Sequence, residues 1–190
     1  MNKAKGLWGL IKKWDTKSNY AKSNVVPIIS NSGNINKVGS DSVSESHLLS
    51  VNDINFYDFI ESGIKNEVKA LINTFNCITY SSCEGHKYEN DYEPRNIGVI
   101  PRDYEEYCFL KKTFFELITM TNINLIKNYR DCDVYLSLEV DKVETDDGPS
   151  LTSLEIYFFS LSDDAVNYFN YIDIASNCFL NELKHIKKSD

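Results

Sequence analysis

The chain has 190 residues, 42% apolar and 13% aromatic, with 20 Lys and Arg against 28 Asp and Glu, a net charge of -8 and a pI near 4.9. That length holds one core of ordinary size, the composition excludes a wholly disordered chain, and the acidity opposes general binding to phosphate backbones while suiting a basic protein partner. The five cysteines, Cys77, Cys83, Cys108, Cys132 and Cys178, are odd in number and scattered, the usage of reduced thiols in a cytoplasmic protein rather than of a disulfide framework.

No stretch approaches the roughly 20 apolar residues that span a bilayer. The N-terminal segment carries positive charge, but Lys12 and Lys13 break its apolar run and no small-residue cleavage site follows, so no signal peptide is read. Within residues 1–20, Leu7, Leu10, Ile11 and Trp14 fall on one helical face ringed by Lys3, Lys5, Lys12, Lys13 and Lys17. This predicts a basic amphipathic helix that either folds back on its own acidic domain or touches a membrane surface or an acidic partner. Residues 21–50 are rich in Ser and Asn and read as a polar linker or long loop, interrupted by the apolar run from Val25 to Ile29, which is too brief to assign as a strand.

A single domain is predicted over residues 51–190. Tyr57, Ile60, Ile64, Val68, Leu71 and Phe75 recur at helical spacing, which predicts a helix from about Asp53 to Phe75, weakened by Gly63. Cys77 to Tyr80 and Ile97 to Ile100 are two β-prone runs with a polar loop between them. Asp103 is an N-cap candidate for a second helix carrying Tyr107, Leu110, Phe114, Leu117 and Ile118. Alternating residues from Val134 to Asp141 and from Leu154 to Phe159 predict a hairpin closed by the turn Asp146–Ser150. Acidic residues at Asp163 and Asp164 open a final helix with Phe169, Ile172, Phe179 and Leu183 on one face. The order α-β-β-α-β-β-α predicts an α+β fold, a two-layer sandwich of helices on a mostly antiparallel sheet.

Chemistry concentrates at Ser82, Cys83, Glu84, Gly85 and His86, just after the first predicted strand. Gly85 tolerates the left-handed backbone of a sharp turn, which would present Cys83 and His86 together as a catalytic pair, since a thiol beside an imidazole can form the reactive thiolate. Ser81, Ser82, Glu84, Gly85, Arg95 and Arg102 are the ligand-binding candidates around it, and Asp91 and Glu93 add charge. Tyr80, Tyr88 and Tyr92 would either stack a base or pack on the core rim. No metal site is expected, because Cys77, Cys83 and His86 have the spacing C-x5-C-x2-H, which is not that of a zinc finger. His47 and His185 read as surface residues.

The stretch from Ala70 to His86, with Leu71-Ile72-Asn73 ending a helix and Ile78-Thr79-Tyr80-Ser81-Ser82-Cys83-Glu84-Gly85-His86 following, resembles the helix, strand and Ser-Ser-Cys-Ser-Gly-Arg signature of the wybutosine-synthesizing tRNA methyltransferase family. It is also similar to bacterial proteins with a Ser-Cys-Glu-Gly-His motif. The family resemblance implies S-adenosylmethionine as cofactor, methylation of a modified guanosine in transfer RNA, and the Ser-Ser-Cys segment at the ligand pocket. His86 stands where that family has Arg, and Glu84 where it has Ser. Two readings follow: a ligand-binding or catalytic domain centred on Cys83 and His86 that acts on a nucleotide or RNA, or a non-enzymatic acidic protein that covers a basic partner, such as an immunity or regulatory component of a bacterial toxin or phage-defence system.

Overall fold

The structure is a computed structural model that describes residues 6–16, 26–31, 33–36, 39, 49–89, 91–162 and 164–186. His47, most of the linker and the ends of the chain lie outside the described residues. The elements in order are α1 (Leu7–Trp14), β1 (Ile28–Ile29), β2 (Ile35–Asn36), a 3₁₀ turn at Phe56–Phe59, α2 (Lys65–Phe75), β3 (Ile78–Cys83), β4 (His86–Lys87), β5 (Tyr92–Glu93), β6 (Asn96–Ile100), α3 (Tyr104–Asn128), β7 (Val134–Val143), β8 (Leu151–Ser160) and α4 (Ala165–His185). The fold is α+β. Among the described residues no helix is long and apolar enough to cross a membrane.

The main sheet has the order β3-β6-β8-β7 with every neighbour antiparallel. On β8, Leu154, Ile156 and Phe158 alternate inward and are fully buried, with Phe158 meeting Phe179 of α4 edge-on at 5.9 Å. The register sets Leu136 opposite Phe158 and Leu138 opposite Ile156, so these side chains share the face that α3 and α4 cover. Helix α2 packs on α4 and β3. The outer strand β7 is guarded where α3 reaches it. Asn122 donates to the Leu136 carbonyl and accepts from the Leu136 N–H, both at 2.9 Å, which satisfies an edge that would otherwise invite pairing.

Caps explain where the helices begin and end. The Asp103 carboxylate accepts the Glu106 N–H at 2.8 Å, and Asp164 accepts from Val166 and Asn167, each satisfying donors that the first turn leaves open. Helix α2 stops at Asn76, whose φ of 52° is left-handed. Helix α1 lays Leu7, Leu10 and Trp14 against its own domain, with Trp14 edge-on to Phe56 at 5.6 Å. Its first turn is capped from far away: Asp146 accepts from Gly6 N–H, and Asp147 from Trp8 and Gly9.

The helix expected from Asp53 to Phe75 is corrected. Only Lys65–Phe75 is α-helical; Phe56–Phe59 is a 3₁₀ turn, and the chain breaks direction over residues 60–64. The apolar spacing deceived because Tyr57 packs against the core and Ile60 and Ile64 are buried, although the backbone between them is not a helix. A second correction concerns the site itself. Strand β3 runs on to Cys83, so Cys83 ends a strand rather than opening a loop, and the segment after it folds into the small β4-β5 hairpin.

Candidate functional site: a glutamate, a thiol and an imidazole

Two residues, Glu84 and Gly85, turn the chain from β3 into β4. Gly85 takes φ 91°, and a Cβ there would lie 3.3 Å from both the Arg95 nitrogen and the Glu93 carbonyl, so the turn needs glycine on both counts. The turn brings Cys83 and His86 side by side, and the 60–64 segment adds Glu61. Sγ of Cys83, a ring nitrogen of His86 and a carboxylate oxygen of Glu61 all lie within 4.8 Å of one another. All three residues are buried, at 8%, 4% and 6% exposure.

Reciprocal hydrogen bonds hold this arrangement. Glu61 Oε2 accepts the Glu84 N–H at 2.7 Å, and Glu84 Oε2 accepts the Gly63 N–H at 2.6 Å. The two carboxylates thereby latch the 60–64 turn to the β3-β4 turn. Gly63 is required by proximity: a Cβ would sit 2.8 Å from Glu84 Oε2 and 3.1 Å from Glu84 Cβ. The free oxygen of Glu61, Oε1, faces His86 Nε2 at 3.2 Å. On the other side of the ring, a Cβ at Gly33 would lie 3.4 Å from Nδ1, so the segment beside β2 covers that edge.

Burial dominates the electrostatics. It pushes the Glu61 carboxyl up from its ordinary value, against the lowering effect of the Glu84 N–H and of His86. It also drives the Cys83 thiol up to about 12, opposed by the Gly85 N–H, with the carboxylates of Glu61, Glu93 and Glu84 adding to the rise. At neutral pH Cys83 is therefore a thiol. With only these protein groups around it, it is not an activated nucleophile.

The structure brings together some of the residues expected from sequence and separates others. Cys83, Glu84, Gly85 and His86 form the cluster. Arg95 is buried behind it: Nε donates to the Glu84 carbonyl at 2.9 Å, Nη1 to Ser176 Oγ at 2.7 Å and Nη2 to Asp173 at 3.1 Å. Ser176 in turn donates to the buried Glu67. Arg95 thus supports the turn from within. Ser81 and Ser82 line a separate small cavity of about 60 Å³ with Phe56, Ile60 and Tyr80.

Arg102 lies at the far end of β6, paired with Asp15 and Glu106, and it borders an open cleft of about 790 Å³ with Trp8 and Tyr104. It is not part of the cluster. The three tyrosines also part company. Tyr92 packs at 4.5 Å on Tyr168, Tyr80 donates to Glu155 at 2.5 Å, and Tyr88 bonds Glu93 at the surface. His185 is exposed at the end of α4.

Glu61 is the member that sequence reasoning missed, hidden inside a predicted helix; Ser62-Gly63 was the local signal that the helix breaks there. Cys77, weighed from sequence beside Cys83 and His86, is buried at the other end of β3 next to Arg102 and Glu106. No protein-family model, curated protein or solved structure matches the chain.

Proposed function

We propose that this chain binds or converts a small polar ligand at the Glu61–Cys83–His86 cluster, with a nucleotide or an RNA nucleotide as the ligand class and S-adenosylmethionine as the cofactor to test. The observation that carries the reading is the burial of a carboxylate, an imidazole and a thiol against one another. Burying polar and ionisable groups costs stability that apolar side chains of the same volume would not cost, and such arrangements concentrate at functional sites. His86, oriented by Glu61, is the proton carrier in this reading. Cys83 contributes a neutral thiol donor.

Calorimetric titration of S-adenosylmethionine and of nucleotides into the wild type, Cys83→Ala and His86→Ala tests it. Binding by the wild type, weakened at least about tenfold (about 1.4 kcal/mol) in variants that still melt cooperatively, supports the reading. No binding by any of the three sinks it.

One observation favours the second reading, an acidic interaction protein of the immunity or regulatory kind. On the sheet face turned away from α3 and α4, Glu139 stands directly opposite Glu155, with exposed Asp141 two residues along. Like charges facing across strands destabilise a sheet, and a cationic partner would relieve them. Retention of a basic protein at low salt, lost at high salt and in Glu139→Lys/Asp141→Lys, is the expected result. Equal retention by the charge-reversed variant would remove this reading.

A further inference from the structure

We infer that Glu61, Cys83 and His86 are three protein ligands of a divalent transition-metal site, zinc being the fitting ion, with the fourth coordination position left for water or a substrate atom. The inference rests on the ligand-site reading above for its location and changes the roles there: on an ion, Cys83 gives up its proton to solvent and ligates as a thiolate, and His86 ligates through Nε2 instead of carrying a proton. It departs from the sequence expectation of no metal because the donor set is different: Glu61 replaces Cys77.

The donor chemistry selects the ion. One thiolate, one imidazole and one carboxylate make a mixed S, N, O set suited to zinc, which binds them at about 2.3, 2.0–2.1 and 2.0–2.2 Å. Calcium and magnesium take oxygen ligands and do not fit a thiol. A tetrahedron with those bond lengths has donor–donor edges of about 3.3–3.6 Å. The pair His86 Nε2 and Glu61 Oε1 already stands at 3.2 Å. With every pair of donor atoms within 4.8 Å, closure on an ion asks the remaining pairs to approach by at most about 1.5 Å.

The surroundings resemble those that orient metal ligands. Glu61 uses Oε2 on the Glu84 N–H and so offers Oε1 alone, a one-oxygen ligand with its second oxygen held. The Gly85 N–H points at Cys83 Sγ at 3.4 Å, a bond that a thiolate accepts well. Both are the second-sphere contacts that fix ligand direction and tune the ion. Glu61, Glu84 and Glu93 add negative charge around Sγ, while Arg95, on the far side of the turn, is already paired with Asp173. A dication supplies the missing positive charge. Three protein ligands with a fourth position free is the pattern of zinc sites that do chemistry, whereas structural sites close all four.

The test uses the full chain, reduced and stripped of metal, titrated with cobalt(II) as a spectroscopic stand-in and then with zinc. One equivalent of cobalt should give a thiolate-to-cobalt charge-transfer band in the near ultraviolet together with the intense visible bands of a four-coordinate ion, and zinc should bleach both. Cys83→Ser should lose the charge-transfer band. Glu61→Gln and His86→Ala should weaken cobalt binding at least about tenfold, and His86→Cys, which keeps a ligand and adds a second thiolate, should strengthen the band. Replacement of exposed Cys108 by Ser should change nothing.

No band in the wild type, or a band that survives Cys83→Ser, overturns the inference. The two proposals fail separately. Nucleotide or S-adenosylmethionine binding that depends on Cys83 and His86 without any cobalt band leaves the ligand site and removes the metal. The expected cobalt pattern with no such ligand bound, with or without zinc, leaves the metal and removes that ligand class.

Discussion

Two arginines seven residues apart, one at each end of β6, show how the same side chain does different work at two depths. Arg95 is 4% exposed, and its guanidinium reaches the Glu84 carbonyl, Ser176 and Asp173, with Ser176 relaying to Glu67. Arg102 lies half-buried at the surface and pairs through both edges, with Asp15 at 2.7 Å and Glu106 at 2.5 Å, while also donating to the Asn76 carbonyl. The buried network holds a turn that carries chemistry. The outer one fastens α1 to the start of α3. A buried guanidinium cannot exchange its partners for water, so its removal leaves unpaired groups; an outer one can.

The largest expected effect is therefore Arg95→Ala. It leaves the buried Ser176 Oγ and the Glu84 carbonyl without their donor, a loss of about 1–3 kcal/mol for each of these acceptors, read as a fall in the denaturant midpoint at unchanged slope, while Asp173, 80% exposed, turns to water. Next is Gly63→Ala, which puts a methyl 2.8 Å from Glu84 Oε2 and must push the latch apart. A cost of about 1–3 kcal/mol and weaker cobalt binding are expected together; a stability loss with full cobalt affinity would show that the latch does not position Glu61. Arg102→Ala should cost only about 0–1 kcal/mol, shrinking further in high salt. A loss as large as that of Arg95→Ala would erase the contrast between the two ends.

The smallest effects are titrations with opposite signs. The Arg102 guanidinium holds the Asp15 carboxyl below its ordinary value of 3.8. The folded chain thus binds this proton less readily than the unfolded one, and the contribution is complete above pH 3.8 and lost as pH falls through the folded value. Asp15→Asn removes that acid-side slope. Burial lifts the Glu155 carboxyl above 4.5, against the bond from Tyr80. Here the folded state binds the proton more readily, so stability declines as pH rises from 4.5 through the folded value, and Glu155→Gln flattens that decline. Melting temperatures of the two variants and the wild type across about pH 2–8 check both signs.

The parts of the molecule written in local spacing were legible from sequence, and those written in distant contacts were not. Alternation over Val134–Asp141 and Leu154–Phe159 announced the hairpin, and Asp103 announced the start of α3. The turn at Gly85 joined Cys83 to His86 because only two residues separate them. Glu61 is 22 positions before Cys83 in a segment whose apolar spacing suits a helix and a 3₁₀ turn equally, so periodicity could not expose it. Arg95 read as a ligand-binding residue because its partners Asp173 and Ser176 come 78 and 81 positions later. Nothing local marks a charge as already satisfied.

The capping of α1 by the β7-β8 turn has a consequence for the order in which the chain is made. Gly6 donates to Asp146 across 140 positions, so until the hairpin has been synthesised the open N–H groups of the first turn of α1 have only water to bond. At about 5–20 residues per second that delay is roughly 7–28 s, whereas Phe56, the ring that Trp14 meets edge-on, is made well before the hairpin. The apolar face of α1 thus meets its partners before its cap arrives.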